Sequence, residues 1–299
     1  MFKKKTVKII FFVVLFLMAS LIVGIALFKT PKNTKLTTYL YPYSYVSKIE
    51  SKDTINIKLL IDNKKSYFLD KDKITNSYIG GLDGKIKLNV NSIDASDTKI
   101  RIKGNDYFLV NYYFDVDLNV DSEYELFINK AYLYLTLANG ISTNIYIGSF
   151  SYYKYEDTID KISITNLKAI NNKQGQDGFY GIIAGIRNLS HTDIIINDIK
   201  LLDGNIKNIT FKTIDSIESA NYEDYFSTLD FQNSITLKKD DITYIAATFD
   251  ADTNLMYPAS EIGLKISTDA GNYYIEKFTF YKLNYLDTSS LNFTIYEYK

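Results

Sequence analysis

From residue 55 to the C-terminus, polarity flips at nearly every step. INIKLLI (55–61), KIKLNVNSI (85–93), TKIRIKG (98–104) and DYFLVNYYFDVDLNV (106–120) all alternate in this way. Successive residues of a strand point to opposite faces, so a period of two marks a strand with one packed and one solvated side and does not fit the 3.6-residue period of a helix. AYLYLTLANGISTNIYIGSF (131–150) reads as a hairpin with Leu133, Leu135 and Leu137 on one face. Its Asn139-Gly140 pair predicts a type I′ turn, which needs positive φ at both central residues. The same grammar continues through DKISITNLKAI (160–170), FYGIIAGIRN (179–188), DIIINDIKLLD (193–203), NITFKTI (208–214), SITLKKDDITYIAATFD (234–250), EIGLKIST (261–268), NYYIEKFTFYKL (272–283) and NFTIYEY (292–298). One helix is expected at 215–229, where Ile217, Tyr225 and Leu229 fall near one face. Short strands joined by short turns favour antiparallel sandwiches over βαβ units.

The first residues set a location. IIFFVVLFLMASLIVGIALF, residues 9–28, holds no charge and is long enough as a helix to cross the hydrocarbon core of a bilayer. Lys3, Lys4, Lys5 and Lys8 precede it, and with the free amino terminus they favour a cytoplasmic N-terminus. A secretory signal cleaved after Ala26 is the competing reading, but the apolar run continues through Leu27 and Phe28. Both readings put the remainder outside the cytoplasm.

Asn188-Leu189-Ser190-His191-Thr192-Asp193 before IIINDIKLLD, and LKKDDITYIAATF later, resemble the hairpin grammar of bacterial extracytoplasmic Ig-like modules. The resemblance covers about residues 160–283 and implies a fold, not a catalytic residue. The expected architecture is therefore mainly β. It comprises a cytoplasmic tail (1–8), a transmembrane helix (9–28), a juxtamembrane linker (29–50) and two antiparallel β-sandwich domains, 51–157 and 158–299, the second Ig-like.

Composition excludes several classes of function. The chain of 299 residues has no Cys, so thiolate nucleophiles, disulfides and Cys-ligated metals are ruled out, and its single His rules out His-rich metal sites. A net charge of -1 offers no field for a nucleic-acid backbone.

DADTNLMYPASE (250–261) matches a calcium-loop pattern at Asp250, Asp252, Asn254 and Glu261, but Leu255 stands where the sharp turn wants Gly, and the flanks read as strands rather than helices. These four residues are the candidate metal ligands, with calcium as the ion. Asp115, Asp117, Asn119 and Asp121 form a second acidic row on one strand face, where a cation or a neighbouring Lys would relieve repulsion. Tyr39, Tyr41, Tyr43, Tyr45, Tyr132 and Tyr134 offer rings for stacking on sugars or peptides, or sit at a membrane interface or inside a contact. Gly80-Gly81-Leu82-Asp83-Gly84 reads as a turn, since no helix follows to cradle a phosphate. Ser151 and Lys154 satisfy S-x-x-K, but the Ser does not open a helix and no K-T-G strand follows. Three glycosylation sequons, at Asn188, Asn208 and Asn292, are unsurprising in an Asn-rich chain.

No enzyme activity and no cofactor are expected. The leading expectation is a membrane-tethered binding or scaffolding protein of a bacterial cell envelope, with a protein or envelope polymer as partner; a variant of the same reading is an accessory to a membrane transporter or envelope complex. A carboxylate-dependent cell-wall glycan hydrolase or transferase and a calcium-stabilised adhesive module are the alternatives.

Overall fold

The structure, a computed structural model, describes residues 33–38, 40–171, 179–204, 206–217, 231–251, 259–281 and 294–298. The apolar segment 9–28, Tyr39 and most of the helix candidate (218–229) lie outside the described residues. Among the described residues no helix is long and apolar enough to cross a membrane.

Strands dominate, as the alternation requires. The first unit holds β1 (Thr34–Thr37), β2 (Tyr41–Lys48), β3 (Thr54–Ile61), β4 (Ile74–Gly80), β5 (Lys85–Ile102), β6 (Asn105–Val116), β7 (Tyr124–Leu137) and β8 (Ser142–Tyr155). The second unit holds β9 (Ile162–Asn171), β10 (Phe179–Asn188), β11 (Ile194–Leu201), β12 (Ile206–Ile214), β13 (Ile235–Leu237), β14 (Ile242–Ala251), β15 (Ala259–Thr268) and β16 (Gly271–Tyr281). The last strand, β17 (Tyr296–Tyr298), returns to the first unit and pairs with β1. The second unit is thus an insertion between β8 and β17.

The second unit is an antiparallel sandwich of two four-stranded sheets, β12-β14-β10-β9 and β13-β11-β15-β16. With β9, β10, β14 and β12 as strands A, B, E and D, and β11, β15 and β16 as C, F and G, this is the strand order of an Ig-type sandwich. The extra β13 beside β11 follows the D strand in the chain. Ile186, Ile196, Leu237, Ile245 and Leu264 meet between the sheets.

The two segments that carried the resemblance touch each other. Asn188, fully buried, donates from Nδ2 to Thr192 O (2.8 Å) and Leu237 O (3.0 Å), while its Oδ1 accepts from Ser190 N and Ser190 Oγ, both at 2.8 Å. Asp193 accepts from Lys239 N at 3.0 Å and pairs with Lys238 Nζ at 2.8 Å. The Asn188 amide is consumed by the fold, so its sequon is closed to modification. Asn188→Ala leaves several buried groups without partners, and a drop of about 2–4 kcal/mol is expected in denaturant unfolding of the full chain.

The first unit departs from the expected two-sheet sandwich. It is one nine-stranded sheet, ordered β17-β1-β3-β6-β5-β4-β7-β8-β2, and its β2–β8 pair is parallel. The long strands carry register shifts, at Val90/Ser92 and Ala95/Lys99 in β5 and between Ile128 and Tyr132 in β7. Such bulges bend a strand and raise its twist. The sheet therefore curls around a main core that includes Leu36, Ile57, Ile79, Leu88, Phe114, Leu133 and Ile147, with a smaller cluster of Leu60, Ile102 and Tyr107 apart from it.

Tyrosine side chains complete the curl where the backbone ladders stop. β1 pairs with β3 only at Leu60 and Ile61, which leaves the rest of that β3 edge open. Tyr45 on β2 donates to Asn56 O (2.7 Å) and accepts from Asn56 N (3.0 Å), and Tyr43 accepts from Lys58 N (3.3 Å). At the other seam Tyr296 on β17 accepts from Tyr146 N of β8 at 3.2 Å. The stretch 29–50, expected as a linker, thus supplies two strands and part of a core. The period-two tyrosines face inward because their hydroxyls are the right length to satisfy an open strand edge. Tyr45→Phe keeps the ring but orphans both polar groups of Asn56, so a loss of about 1–2 kcal/mol is expected in the same measurement.

The expected type I′ turn sits elsewhere. At the β7–β8 hairpin Gly140 has φ 86° and Asn139 has no positive φ. Gly140 N donates to Leu137 O (2.9 Å) and Leu137 N to Ile141 O (2.8 Å), so three residues lie inside the closing pair. This is a type I turn followed by a glycine bulge. The positive pair is Lys103 (φ 47°) and Gly104 (φ 82°), between Ile102 and Asn105 at the tip of β5–β6.

Candidate ligand-binding groove

The outer face of β7 and β8 has two halves with different uses. One half holds the second unit. Ser151 Oγ accepts from Gly204 N at 3.1 Å, Lys200 Nζ pairs with Glu125 at 2.9 Å, and Ser44 on neighbouring β2 donates to Leu202 O at 2.7 Å. Tyr153 and Tyr155 pack with Val46, Leu202 and Tyr274 in a small buried cluster. A Cβ on Gly204 would lie 2.2 Å from the Phe127 ring, and one on Gly263 would lie 2.3 Å from Val46, so the approach requires glycine at both places.

The other half faces outward and carries a tyrosine ladder. The backbone register places Lys85, Gly80, Tyr132 and Tyr146 in one row across β5, β4, β7 and β8, and Lys87, Tyr78, Tyr134 and Asn144 in the next. Tyr78 and Tyr134 stack at 4.4 Å with 8° between planes, while Tyr132 lies 6.4 Å from Tyr134 and 5.2 Å from Tyr146. All four rings are half-buried. Gly80 interrupts its row. The Tyr78 ring leans over it, 3.3 Å from where a Cβ on Gly80 would lie. Beside that ring a groove of about 360 Å³ forms, lined by Tyr78, Gly80, Gly81, Leu82, Gly84, Lys85 and Tyr134.

The glycine turn that walls the groove is held firmly. Gly81 N donates to Gly84 O at 2.9 Å, and Asp83 Oδ2 accepts from Asn129 N at 3.3 Å. A Cβ on Gly81 would meet Ile128 Cγ2 at 2.5 Å and Lys130 O at 2.6 Å, so only glycine lets the turn press against β7. Leu82 at its tip is fully exposed.

Other candidate residues are placed as follows. Asp250 lies on β14 and Glu261 on β15, in opposite sheets of the second unit; Asp252 and Asn254 lie outside the described residues. Both flanks of that loop are strands. Asp117 pairs with Lys87 at 2.7 Å, which holds its carboxyl below the usual carboxylate range, and Asp115 accepts from Asn91 Nδ2 and Thr54 Oγ1, both at 2.9 Å. Because β6 ends at Val116, Asp117, Asn119 and Asp121 lie past it and the expected row on one strand face does not form. Among the described residues no group of three or more His, Cys, Asp or Glu could hold a metal ion. Tyr41, Tyr43 and Tyr45 pack on the core of the first unit, while Tyr132 and Tyr134 line the outer ladder. Ser151 faces the second unit, whereas Lys154 points into the first, with Nζ 2.7 Å from Asp53 Oδ2. The S-x-x-K residues therefore lie on opposite faces of one strand and share no reaction centre. His191 sits in an exposed turn.

Tyr78, Tyr146 and Lys85 were not singled out by the sequence, and Gly80 was read only as part of a turn, whereas it ends β4. Tyr78 and Tyr146 alternate with buried neighbours, which signals an outward face. The register that gathers all four has no local signature.

No family model and no curated protein matches the chain. Among solved structures, a protein of unknown function from Porphyromonas gingivalis W83 aligns with a TM-score of 0.23 and 10% identity, over 82% of this chain and 98% of that one. The C-terminal domain of the Streptococcus agalactiae AgI/II polypeptide BspA aligns at 0.20 and 7%, over 83% and 99%. The D00-D0 domain of intimin aligns at 0.20 and 10%, over 83% and 98%. At such TM-scores these likenesses carry no weight for fold or role, and the architecture rests on the chain's own strand order.

Proposed function

We propose that this chain is a binding or scaffolding protein of the cell envelope, tethered by residues 9–28 with its β units outside the cytoplasm, and not an enzyme. One observation carries the reading: a rigid turn and a row of half-buried tyrosines form an open groove on a face whose other half fastens the second unit. Tyr rings offer apolar area and a polar tip at small entropic loss, the chemistry of recognition surfaces. The uncharged length of 9–28 and the lysines before it support the tether and its orientation.

The chain's lack of Cys makes the test simple. Leu82→Cys places a thiol at a fully exposed position, and Thr6→Cys places one before the apolar segment. A membrane-impermeant maleimide on intact cells is expected to label the first and spare the second, with the protein in the membrane fraction. Labelling at position 82 only after permeabilisation overturns the proposed location.

A further inference from the structure

We infer that the groove beside Tyr78 and Tyr134 binds an acidic polysaccharide, one pyranose ring at a time, with the sugar carboxylate at Lys85. This names the ligand class of the proposed binding role and rests on that reading.

Shape is the first argument. The groove is bounded by the Tyr78–Tyr134 pair, by Lys85 and by the Gly81–Gly84 turn. It suits a flat ring rather than a bulky side chain or a helix. A pyranose presents axial C–H groups on one face and hydroxyls around its rim. Its apolar face suits a Tyr ring, and its rim suits the tyrosine hydroxyls. The ladder through Tyr132 to Tyr146 continues the surface past the groove, so neighbouring rings of a polymer would meet further tyrosines.

Charge is the second argument. Lys85 is exposed and makes no ion pair among the described residues, in contrast to Lys87, which is matched by Asp117. Lys130, also exposed, adjoins the turn at Gly81. The acid in the turn, Asp83, keeps its charge while accepting from Asn129 N, but it does not line the groove. Lys85 is the one charged residue of the lining, and a positive wall on a chain of near-zero net charge favours an anionic polymer over a neutral one.

The test uses full-length protein in nanodiscs, with polygalacturonate as the acidic probe and dextran as the neutral one. The chain has no Trp, so tyrosine emission reports directly on ring contacts. Polygalacturonate is expected to quench emission saturably, with dextran at least about tenfold weaker. Tyr134→Ala is expected to weaken the acidic polymer about tenfold, a change of about 1.4 kcal/mol. Lys85→Glu, on an exposed side chain that leaves the fold intact, should reduce it as much or more and abolish the preference over dextran. Wild-type protein that ignores polygalacturonate, or binding that survives both variants, overturns the inference; so does a groove that takes an unstructured peptide and neither polymer. If the maleimide experiment places position 82 outside while no polysaccharide binds, only the ligand class fails; if position 82 is inside, the envelope reading fails first.

Discussion

Asp53→Ala is expected to destabilise the chain by about 3–5 kcal/mol, measured by denaturant unfolding of full-length protein in detergent. Lys154 is almost fully buried. Its ammonium meets Asp53 Oδ2 at 2.7 Å, Ser51 O at 2.8 Å and Lys48 O at 3.0 Å. Three acceptors satisfy the three donors, which makes burial of the charge tolerable. Asp53 also accepts from Ser47 Oγ at 2.7 Å and from the Tyr152 hydroxyl, whose ionisation is pushed well up by burial and by that carboxylate. Removing Asp53 leaves a desolvated cation against two carbonyl dipoles and orphans two hydroxyls. The double variant Asp53→Leu, Lys154→Met should recover most of the loss, because an apolar pair of similar volume avoids the desolvation penalty. A single variant within about 1 kcal/mol of wild type would show that the pair is solvated in the folded chain.

Tyr274→Ala should split the molecule's unfolding into two transitions. Its ring stacks on Tyr155 at 4.4 Å and lies 6.1 Å from Tyr153, and its hydroxyl donates to Glu123 Oε1 at 2.8 Å. Glu123 also accepts from Tyr153 at 3.1 Å, while Tyr155 donates to Glu276 at 3.1 Å. Deleting a buried aromatic costs about 3–5 kcal/mol, and here the loss falls on the contact that couples the two units. Two melting steps are expected where wild type shows one, and a single cooperative step at lower temperature would mean that the Ser151–Gly204 and Ser44–Leu202 bonds suffice.

The same contact predicts an alkaline limit. Burial and the facing carboxylates push the Tyr153 and Tyr155 hydroxyls up to about 12. A group whose folded-state pKa is raised contributes its full stability below the unfolded value, near 10, and loses it as pH rises toward the folded value. Stability should therefore hold to about pH 10 and then fall by roughly 1.4 kcal/mol per pH unit per tyrosine up to about pH 12. Tyr153→Phe should reduce that slope by about 1.4 kcal/mol per pH unit, with the Tyr155 share remaining.

Much of this fold was legible in the residues. Alternation located the strands, because one face of each sheet excludes water and the other does not. The segments around Asn188 and Lys238–Asp241 marked the second sandwich, where buried amide and charged turn now meet. The Asn139-Gly140 dipeptide marked the hairpin but not its turn type, because the Leu137–Ile141 closing pair left room for three residues. The spacing of Tyr41, Tyr43 and Tyr45 put them on one side of a strand but left open which side. Their inward direction depends on an unpaired stretch of β3 that local sequence does not encode.

Sequence alone determined the chemical limits of this protein: mainly strands beyond the apolar segment, no thiol or imidazole cluster, and no basic field. These follow from composition and from a period that any local window reveals. Tertiary structure alone decided that the last strand returns to the first, that Lys154 lies inside while Ser151 faces the second unit, and that Gly80 falls between Lys85 and Tyr132. Those outcomes depend on strand register across distant segments, and a shift of one residue in any pairing would turn each side chain to the opposite face.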